Sequence, residues 1–399
     1  MADTRTIKFW LALQQAFGVG SNKINWVLDH SNTAIGFYRG GEKLWFQMEG
    51  LSSRELELLH HPDVPKIESV LAECERLGCY ILTPEDEEYP VNLRNIYAMP
   101  AVLFVKGSLQ FLNDAPLTIA MVGTRSGSSS GLRTAWNIAR DLAEAKTAVV
   151  SGLAVGIDAS CHLGAMSGHG KTVAVMPCGL ETVSPSENEY IWNKIILNGG
   201  AVISEYPPNF EINWKRSFHV RNRLISGLAQ GVVLVEGRER SGTSITFHHG
   251  LEQGRDIFVV PWDVTTAAGK WAVELLRQGA VPISNANQIL EDYELPPMTF
   301  QEHKTRKKEN VAAAVQEELK QIQRENFSKN SLPKTPKEEL GELEQKLLPC
   351  LTGEGQYPEQ LAEASGLQMD ELTQALTGLE MGGWAYALPG GRYARRDEE

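Results

Sequence analysis

Lys215, Arg216, Arg221 and Arg223 fall within nine residues of the stretch NWKRSFHVRNRLISGLAQG, residues 213–231, with no acid among them. The chain around them has 399 residues and a formal net charge of −12. Trp214, Phe218 and His219 are interleaved with the cations. Cations spaced among aromatic rings suit a single nucleic-acid strand, whose phosphates the cations neutralise while its bases stack on the rings. A solvated charge run is the ordinary alternative, but such runs seldom carry Trp and Phe or lack acids on an acidic chain. A second candidate lies in TIAMVGTRSGSSSG, residues 118–131, where an apolar run leads into Gly123, Thr124, Arg125, Ser126 and Ser128 and then into the helical pattern LRTAWNIARDLAEA. Loop N–H groups, hydroxyls and an arginine just ahead of a helix N-terminus make an anion site of phosphate size. The alternative is a tight strand-to-helix turn with Arg125 facing solvent. VVSGLAVGIDASCH, residues 149–162, repeats the design, with Gly152 and Gly156 allowing close backbone approach and Asp158 placed to cap a helix or accept from loop amides.

Other phosphate chemistries fit less well. A dinucleotide fingerprint needs G-x-G-x-x-G and an acid closing the second strand, whereas Gly123 is followed by Thr124 and Arg125 and the second strand ends at Ser151. The G-x-x-x-x-G-K-[ST] pattern of a P-loop occurs nowhere. Cys74, Cys79, Cys161, Cys178 and Cys350 are scattered without metal-ligand spacing and read as reduced thiols, mostly core. His248 and His249 are adjacent, about 100° apart on a helix, which disfavours a shared metal. His162 reads as a core or capping histidine. No cofactor, metal or nucleophile constellation can be argued from spacing. The start lacks a secretory signal and no apolar run reaches membrane-spanning length, so a cytoplasmic protein is expected, with no membrane partner. The acidic balance disfavours non-specific coating of polyanions, although a local basic cleft can still focus its field on one.

The elements that must position these residues follow from periodicity. Ile7 to about His60 is helical, with FGVGSNKINWVLDH as helix, Gly-containing turn and helix; this domain is assigned to residues 1–75. From 80 to 293, the β-branched runs TIAMV, TAVVS, KTVAVMP, AVISE, GVVLVE, DIFVVP and AVPIS alternate with amphipathic helices. Runs apolar on both faces and separated by helices predict a parallel sheet covered on both sides. A charged linker is expected over 294–340. A compact unit of three helices and a hairpin, turning at Pro389, Gly390 and Gly391, is expected over 341–396, the pattern of a winged helix.

Residues 89–280 resemble the DprA (Smf) family, the bacterial DNA-processing proteins of natural transformation. The matching signatures are YPVNLRNIYAMPAVLFVKGS, VGTR, SGLAVGID, SEYPP, RNRLISGLAQGVVLVEG, RSGTSIT, LEQGRDIFVVP and Gly279-Ala280. The resemblance implies an α/β fold with an extended Rossmann-like sheet, an N-terminal SAM-like or helix-hairpin-helix domain and a C-terminal winged helix. It implies a homodimer that binds single-stranded DNA and loads the RecA recombinase onto strands held by single-strand binding protein, without catalysis. Carried over by position, DNA-binding residues would be Gly123, Thr124, Arg125, Ser151, Gly152, Phe218, Arg221, Asn222 and Arg223; Lys215 and Arg216 lie where members vary. The chain departs from the pattern at Ser184 and Ser186, at Trp262, and at Val273, which bears on the cleft rim and the dimer surface.

Two other readings compete. The core also resembles, distantly, phosphoribohydrolases, but their carboxylate after the Gly-Thr pair is missing: Gly242 and Thr243 are followed by Ser244, Ile245 and Thr246, with Glu236 and Glu239 nearby. The other is a duplex-binding regulator that uses the winged helix. Its recognition segment offers Asp370, Glu371 and Glu380 and no cation, which would repel phosphates, so a protein contact is the better expectation; the wing supplies Arg392, Arg395 and Arg396.

Overall fold

The computed structural model describes residues 2–239, 241–297, 341–352, 355–369, 371, 372, 375, 376, 379, 384–388 and 392–395. The chain divides into two compact units, Met1–Arg324 and Glu325–Glu399. The charged linker, apart from residues 294–297, lies outside the described residues, as do Pro389, Gly390, Gly391, Asp370, Glu380 and Arg396.

Five helices open the first unit: α1 (Thr4–Phe17), α2 (Lys23–Ser31), α3 (Ala34–Trp45), α4 (Ser53–His60) and α5 (Val64–Leu77). Four of the five begin at a side-chain cap. Asp3, Thr33 and Asp63 accept from the amides of Thr6, Gly36 and Lys66, and Ser52 with Glu55 forms a capping box; each such cap is worth about 1 kcal/mol. Trp10, Leu13, Ile24, Val27 and Phe37 are fully buried, in one continuous apolar cluster with sheet residues such as Leu103 and Phe104. The helical segment and the sheet therefore share a core.

The sheet has nine strands: β1 (Tyr80–Leu82), β2 (Leu103–Gly107), β3 (Thr118–Val122), β4 (Ala148–Ser151), β5 (Thr172–Met176), β6 (Ala201–Ser204), β7 (Gly231–Leu234), β8 (Asp256–Val259) and β9 (Val281–Pro282), in the order β1-β2-β6-β5-β4-β3-β7-β8-β9. The seven strands read from the sequence are parallel throughout. Two strands not read from the sequence extend the sheet at one edge, where β2 pairs antiparallel with β6 and β1 antiparallel with β2. No α-helix longer than five residues separates β2 from its neighbours in the chain, and β1 has only three residues, so neither belongs to the strand–helix rhythm that exposes the others.

Between the strands run α6 (Gln110–Asp114), α7 (Ser129–Glu144), α8 (Ile157–Ser167), α9 (Glu189–Leu197), α10 (Trp214–Gly227), α11 (Gly242–Glu252), α12 (Ala267–Arg277) and α13 (Ala286–Asp292). Alternate residues of β3 serve opposite faces, as a pleated strand requires. Ile119 and Met121 pack with Ala135 and Ile138 of α7, and Ala120 and Val122 belong with Leu224 and Ile225 of α10 and Phe247 of α11. From β3 the chain winds outward through β4, β5 and β6, then returns to lay β7 on the other side of β3. That reversal opens a crevice at the carboxyl ends of β3 and β7, the usual ligand position in such sheets.

Cys74, Cys79, Cys161 and Cys178 are buried free thiols and Cys350 is half-buried. Trp262 Nε1–H donates to the Val235 carbonyl and the ring packs against the second core cluster, while Val273 is exposed on α12. Ser184 is half-buried and Ser186 exposed. Among the described residues no helix is long and apolar enough to cross a membrane. In the second unit, α14 (Glu342–Leu347), α15 (Pro358–Ser365) and an antiparallel hairpin, β10 (Ala385–Leu388) with β11 (Arg392–Arg395), surround a small core that includes Leu347, Leu361, Leu372 and Leu376.

Candidate nucleic-acid interface

The loops after β3 and β4 leave neighbouring strands side by side and are stitched together by their backbones. The Ile157 N–H donates to the Thr124 carbonyl at 3.2 Å. Gly156 has φ +87°, and a Cβ there would stand 2.4 Å from the Arg125 carbonyl oxygen. Only glycine combines that backbone conformation with so close an approach. The loop after β7 joins them, because the Thr124 N–H donates to the Glu236 carbonyl at 2.7 Å.

Glu236 also decides what the end of α7 holds. Its Oε2 accepts from the Ser128 N–H at 2.9 Å and the Ser128 hydroxyl at 3.0 Å, while Ser128 Oγ accepts from the Gly131 N–H. The α7 N-terminus, expected as a phosphate site, therefore carries an internal carboxylate, which complements the helix dipole. What stays open is the loop tip. Arg125 and Ser126 are exposed, and the N–H groups of Arg125 and Gly127 have no protein partner among the described residues.

The basic segment forms α10, on which residues two apart point about 200° apart. Arg221 and Arg223 accordingly serve opposite sides, and both are interior. Arg221 is 4% exposed; its Nη1 donates to the carbonyls of Gly152, at 2.7 Å, and Val175. Burial pulls its pKa down to about 10, against the pull of the Asp158 carboxylate. Asp158 in turn accepts from the N–H of Gly152 and of Ala154, and burial raises its pKa while Arg221 opposes the rise. Arg223 Nη2 donates to Glu205 Oε2 at 2.5 Å, with both side chains buried. Glu205 Oε1 accepts from the Gly20 N–H at 3.1 Å, and the Glu205 carbonyl from Gln14 Nε2 at 2.9 Å. The Gly-Val-Gly turn of the helical segment thus packs on the core.

A cleft of about 620 Å³ lies in the crevice. Of the residues expected to contact DNA, Gly123, Thr124, Arg125, Phe218, Arg221 and Asn222 line it. Ser151, Gly152, Arg216 and Arg223 do not. Ser151 is fully buried and its hydroxyl donates to the Met121 carbonyl, tying β4 to β3; Arg216 is exposed outside the cleft. Lys215 lies on α10 with its side chain outside the described residues. Phe218 is half-buried with the Arg125 guanidinium 5.1 Å and that of Arg221 5.5 Å from its ring centre. Asn222 Nδ2–H donates to the Gly242 carbonyl at 3.2 Å and so pins α11 against α10.

The amino-acid pattern did not place α11 at this site, yet Ser241, Gly242, Thr243, Ile245 and Thr246 line the cleft. The signal was present in RSGTSIT, a glycine and hydroxyls between strand and helix, the same order as in the β3 loop. The carboxylate a phosphoribohydrolase would need is not supplied here by Glu236, which faces α7, or by Glu239, which is exposed. Among the described residues, Asp158 is the one carboxylate on the lining.

Below the cleft, His162 is fully buried. Thr172 Oγ1 donates to the Val149 carbonyl, so His162 Nδ1, 2.8 Å away, must be the protonated nitrogen, and Nε2 has no partner. Burial, reinforced by Arg221, lowers its pKa to about 3. The sign follows: the unfolded chain takes up this proton below about pH 6.5 and the folded one does not, so this contribution is intact above pH 6.5 and is lost as pH falls toward 3. Urea unfolding at pH 7 and pH 5 should show wild type losing up to about 1.4 kcal/mol per pH unit more than His162→Gln. Equal pH slopes would remove His162 from the account.

Comparison with known proteins completes the picture. The family model for DNA recombination-mediator protein A matches residues 80–294, a little over half of the chain. The chain belongs to the DprA family. A model of the DprA winged helix domain matches residues 331–391. DprA, the DNA processing protein of Bacillus subtilis, is 35% identical over 237 residues, covering 59% of this chain and 78% of that protein. Protein Smf of Escherichia coli is 28% identical over 98% of this chain and 96% of its own length. The X-ray structure of DNA processing protein A (DprA) from Streptococcus pneumoniae superposes with a TM-score of 0.62 at 27% identity, over 73% of this chain and 99% of that one. Of the signatures quoted from the sequence, VGTR, SGLAVGID, RNRLISGLAQGVVLVEG and RSGTSIT supply residues to the cleft lining.

Proposed function

We propose that the protein binds single-stranded DNA in this cleft without reading its sequence and acts, as a homodimer in the cytoplasm, as a non-catalytic mediator. It loads RecA onto strands covered by single-strand binding protein. The observation that carries this reading is the exposed Arg125 over the Phe218 ring at the mouth of the crevice, one group for a phosphate and one for a base. The names of the relatives, DNA processing protein and DNA recombination-mediator protein, support the substrate class. In this reading Gly123 and Thr124 contribute backbone, and Arg221 and Asn222 hold the walls. The winged helix serves protein contacts.

The test is binding of fluorescent oligo-dT and its duplex over a salt series, with wild type beside Arg125→Ala. Wild type should prefer the single strand, and Arg125→Ala should flatten the log-log salt dependence by about 0.7, the slope that one neutralised phosphate contributes on a single strand. Its stability should stay within about 0.5 kcal/mol, because the side chain is exposed. Wild-type indifference to oligo-dT would overturn the reading. RecA filament assembly on oligonucleotide precoated with single-strand binding protein, with and without the protein, tests the loading step.

A further inference from the structure

The helices whose N-termini border the crevice differ in how their first-turn amides are satisfied. α7 ends on Ser128 and the Glu236 carboxylate, and Asn213 caps α10 by accepting from the Arg216 N–H. α11 has no side-chain cap. Its N-cap residue, Ser241, turns its hydroxyl away to the Arg238 carbonyl at 2.6 Å. The N–H groups of Gly242 and Thr243 have no protein partner among the described residues, and both residues line the cleft.

Two hydroxyls sit beside those amides. Thr246 is 2% exposed and Thr243 8% exposed, both on the cleft lining, and neither Oγ1 makes a hydrogen bond among the described residues. A buried helical threonine ordinarily returns its hydroxyl to a carbonyl one turn back. Both hydroxyl oxygens keep contact with solvent, so they reach the cleft rather than the core. Gly242 adds a third observation. A Cβ there would meet nothing within 4 Å, and its φ lies outside the left-handed region, so neither packing nor backbone conformation calls for glycine. The absence of a side chain leaves the backbone at the start of α11 open to close approach from the cleft.

We propose that the N-terminus of α11, through the amides of Gly242 and Thr243 and the hydroxyls of Thr243 and Thr246, binds one phosphate group of the strand in the cleft. Amide donors at a helix N-terminus and two hydroxyl donors make a tetrahedral anion the matching ligand. Arg125, exposed and on the same cleft lining, supplies the full positive charge that α11 itself lacks. The subsite rests on the single-strand reading of the cleft and gives it a second phosphate contact.

The discriminating variant is Gly242→Asp, with Gly242→Asn as its neutral partner of equal size. A carboxylate at this position mimics what Glu236 does for α7, so the fold tolerates it and the urea midpoint should remain at the wild-type value. Oligo-dT affinity should fall about 10-fold further for Asp than for Asn. The salt slope should fall for Asp and stay at the wild-type value for Asn, because only the carboxylate changes the charge that faces the strand. Thr246→Val, which removes only the hydroxyl, should weaken binding several-fold. Equal affinities and slopes for the Asp and Asn variants, in a protein whose wild type binds oligo-dT, would overturn the subsite and leave the cleft reading standing. Absence of wild-type binding would overturn both. Inorganic phosphate separates the two sources of this chemistry: competition with oligo-dT, with shifts at the Gly242 and Thr243 amide resonances, supports a strand phosphate. Shifts without competition would make it a free-anion site and overturn the assignment.

Discussion

Arg221→Ala is expected to lower the unfolding free energy by about 3–5 kcal/mol, an effect on the fold before it is an effect on DNA. The side chain is 4% exposed, and its Nη1 bridges the carbonyls of Gly152 and Val175, at the ends of β4 and β5. Removing it leaves two buried carbonyls without this donor and takes from Asp158 the positive charge that opposes the cost of its burial. Each consequence is costly in an interior of low polarity. Asp158 holds the amides of Gly152 and Ala154, so the β4 loop loosens with it. Urea unfolding should show a midpoint well below wild type for Arg221→Ala and a midpoint near wild type for Arg125→Ala. A midpoint unchanged in Arg221→Ala would mean that the pocket around Asp158 admits water and solvates the carboxylate. Any fall in DNA binding by this variant must therefore be judged against its stability, whereas a fall in Arg125→Ala tests the proposed DNA contact directly.

The same contrast marks how far the sequence could be read. β-branched runs alternating with helices were enough to place the seven parallel strands, and glycines after two of them were enough to locate the loops that meet at the crevice. Local signals of that kind act over a few residues, and the sequence displays them directly. Partners distant in sequence are not displayed. Arg221 and Arg223 look alike within the nine-residue run, but one meets the β4 and β5 carbonyls and the other meets Glu205. Ser128 stands at an open helix end until Glu236, 108 residues on, folds against it. α11 went unassigned for the converse reason: its cleft-facing groups are backbone amides and two hydroxyls, which carry no charge pattern for a reader of composition to find.

Glu205→Ala is the second change with a large expected effect, about 3–5 kcal/mol. Glu205 is 3% exposed and Arg223 6% exposed, so truncating the acid leaves a guanidinium buried without its charge partner. Nε and Nη1 of Arg223 already lack partners, which leaves Nη2 and its bond to Glu205 to offset the cost of burial. The effect should also reach the helical segment. Gly20 donates its N–H to the same carboxylate, and at φ +78° a Cβ there would press to 2.9 Å on Val220 of α10. Hydrogen exchange in Glu205→Ala should therefore speed up at Gly20 and along the start of α2 more than at β3. The double replacement Glu205→Leu with Arg223→Met separates charge from packing, since exchanging a buried ion pair for apolar groups of similar volume is often neutral or stabilising. Recovery toward the wild-type midpoint would assign the destabilisation to the orphaned charge. A double variant as weak as Glu205→Ala would assign it to the shape of the contact between α10 and the Gly20 turn. With recovery, the contact of α10 with the Gly20 turn stands on packing alone, and the ion pair serves to keep two buried charges from being left without partners.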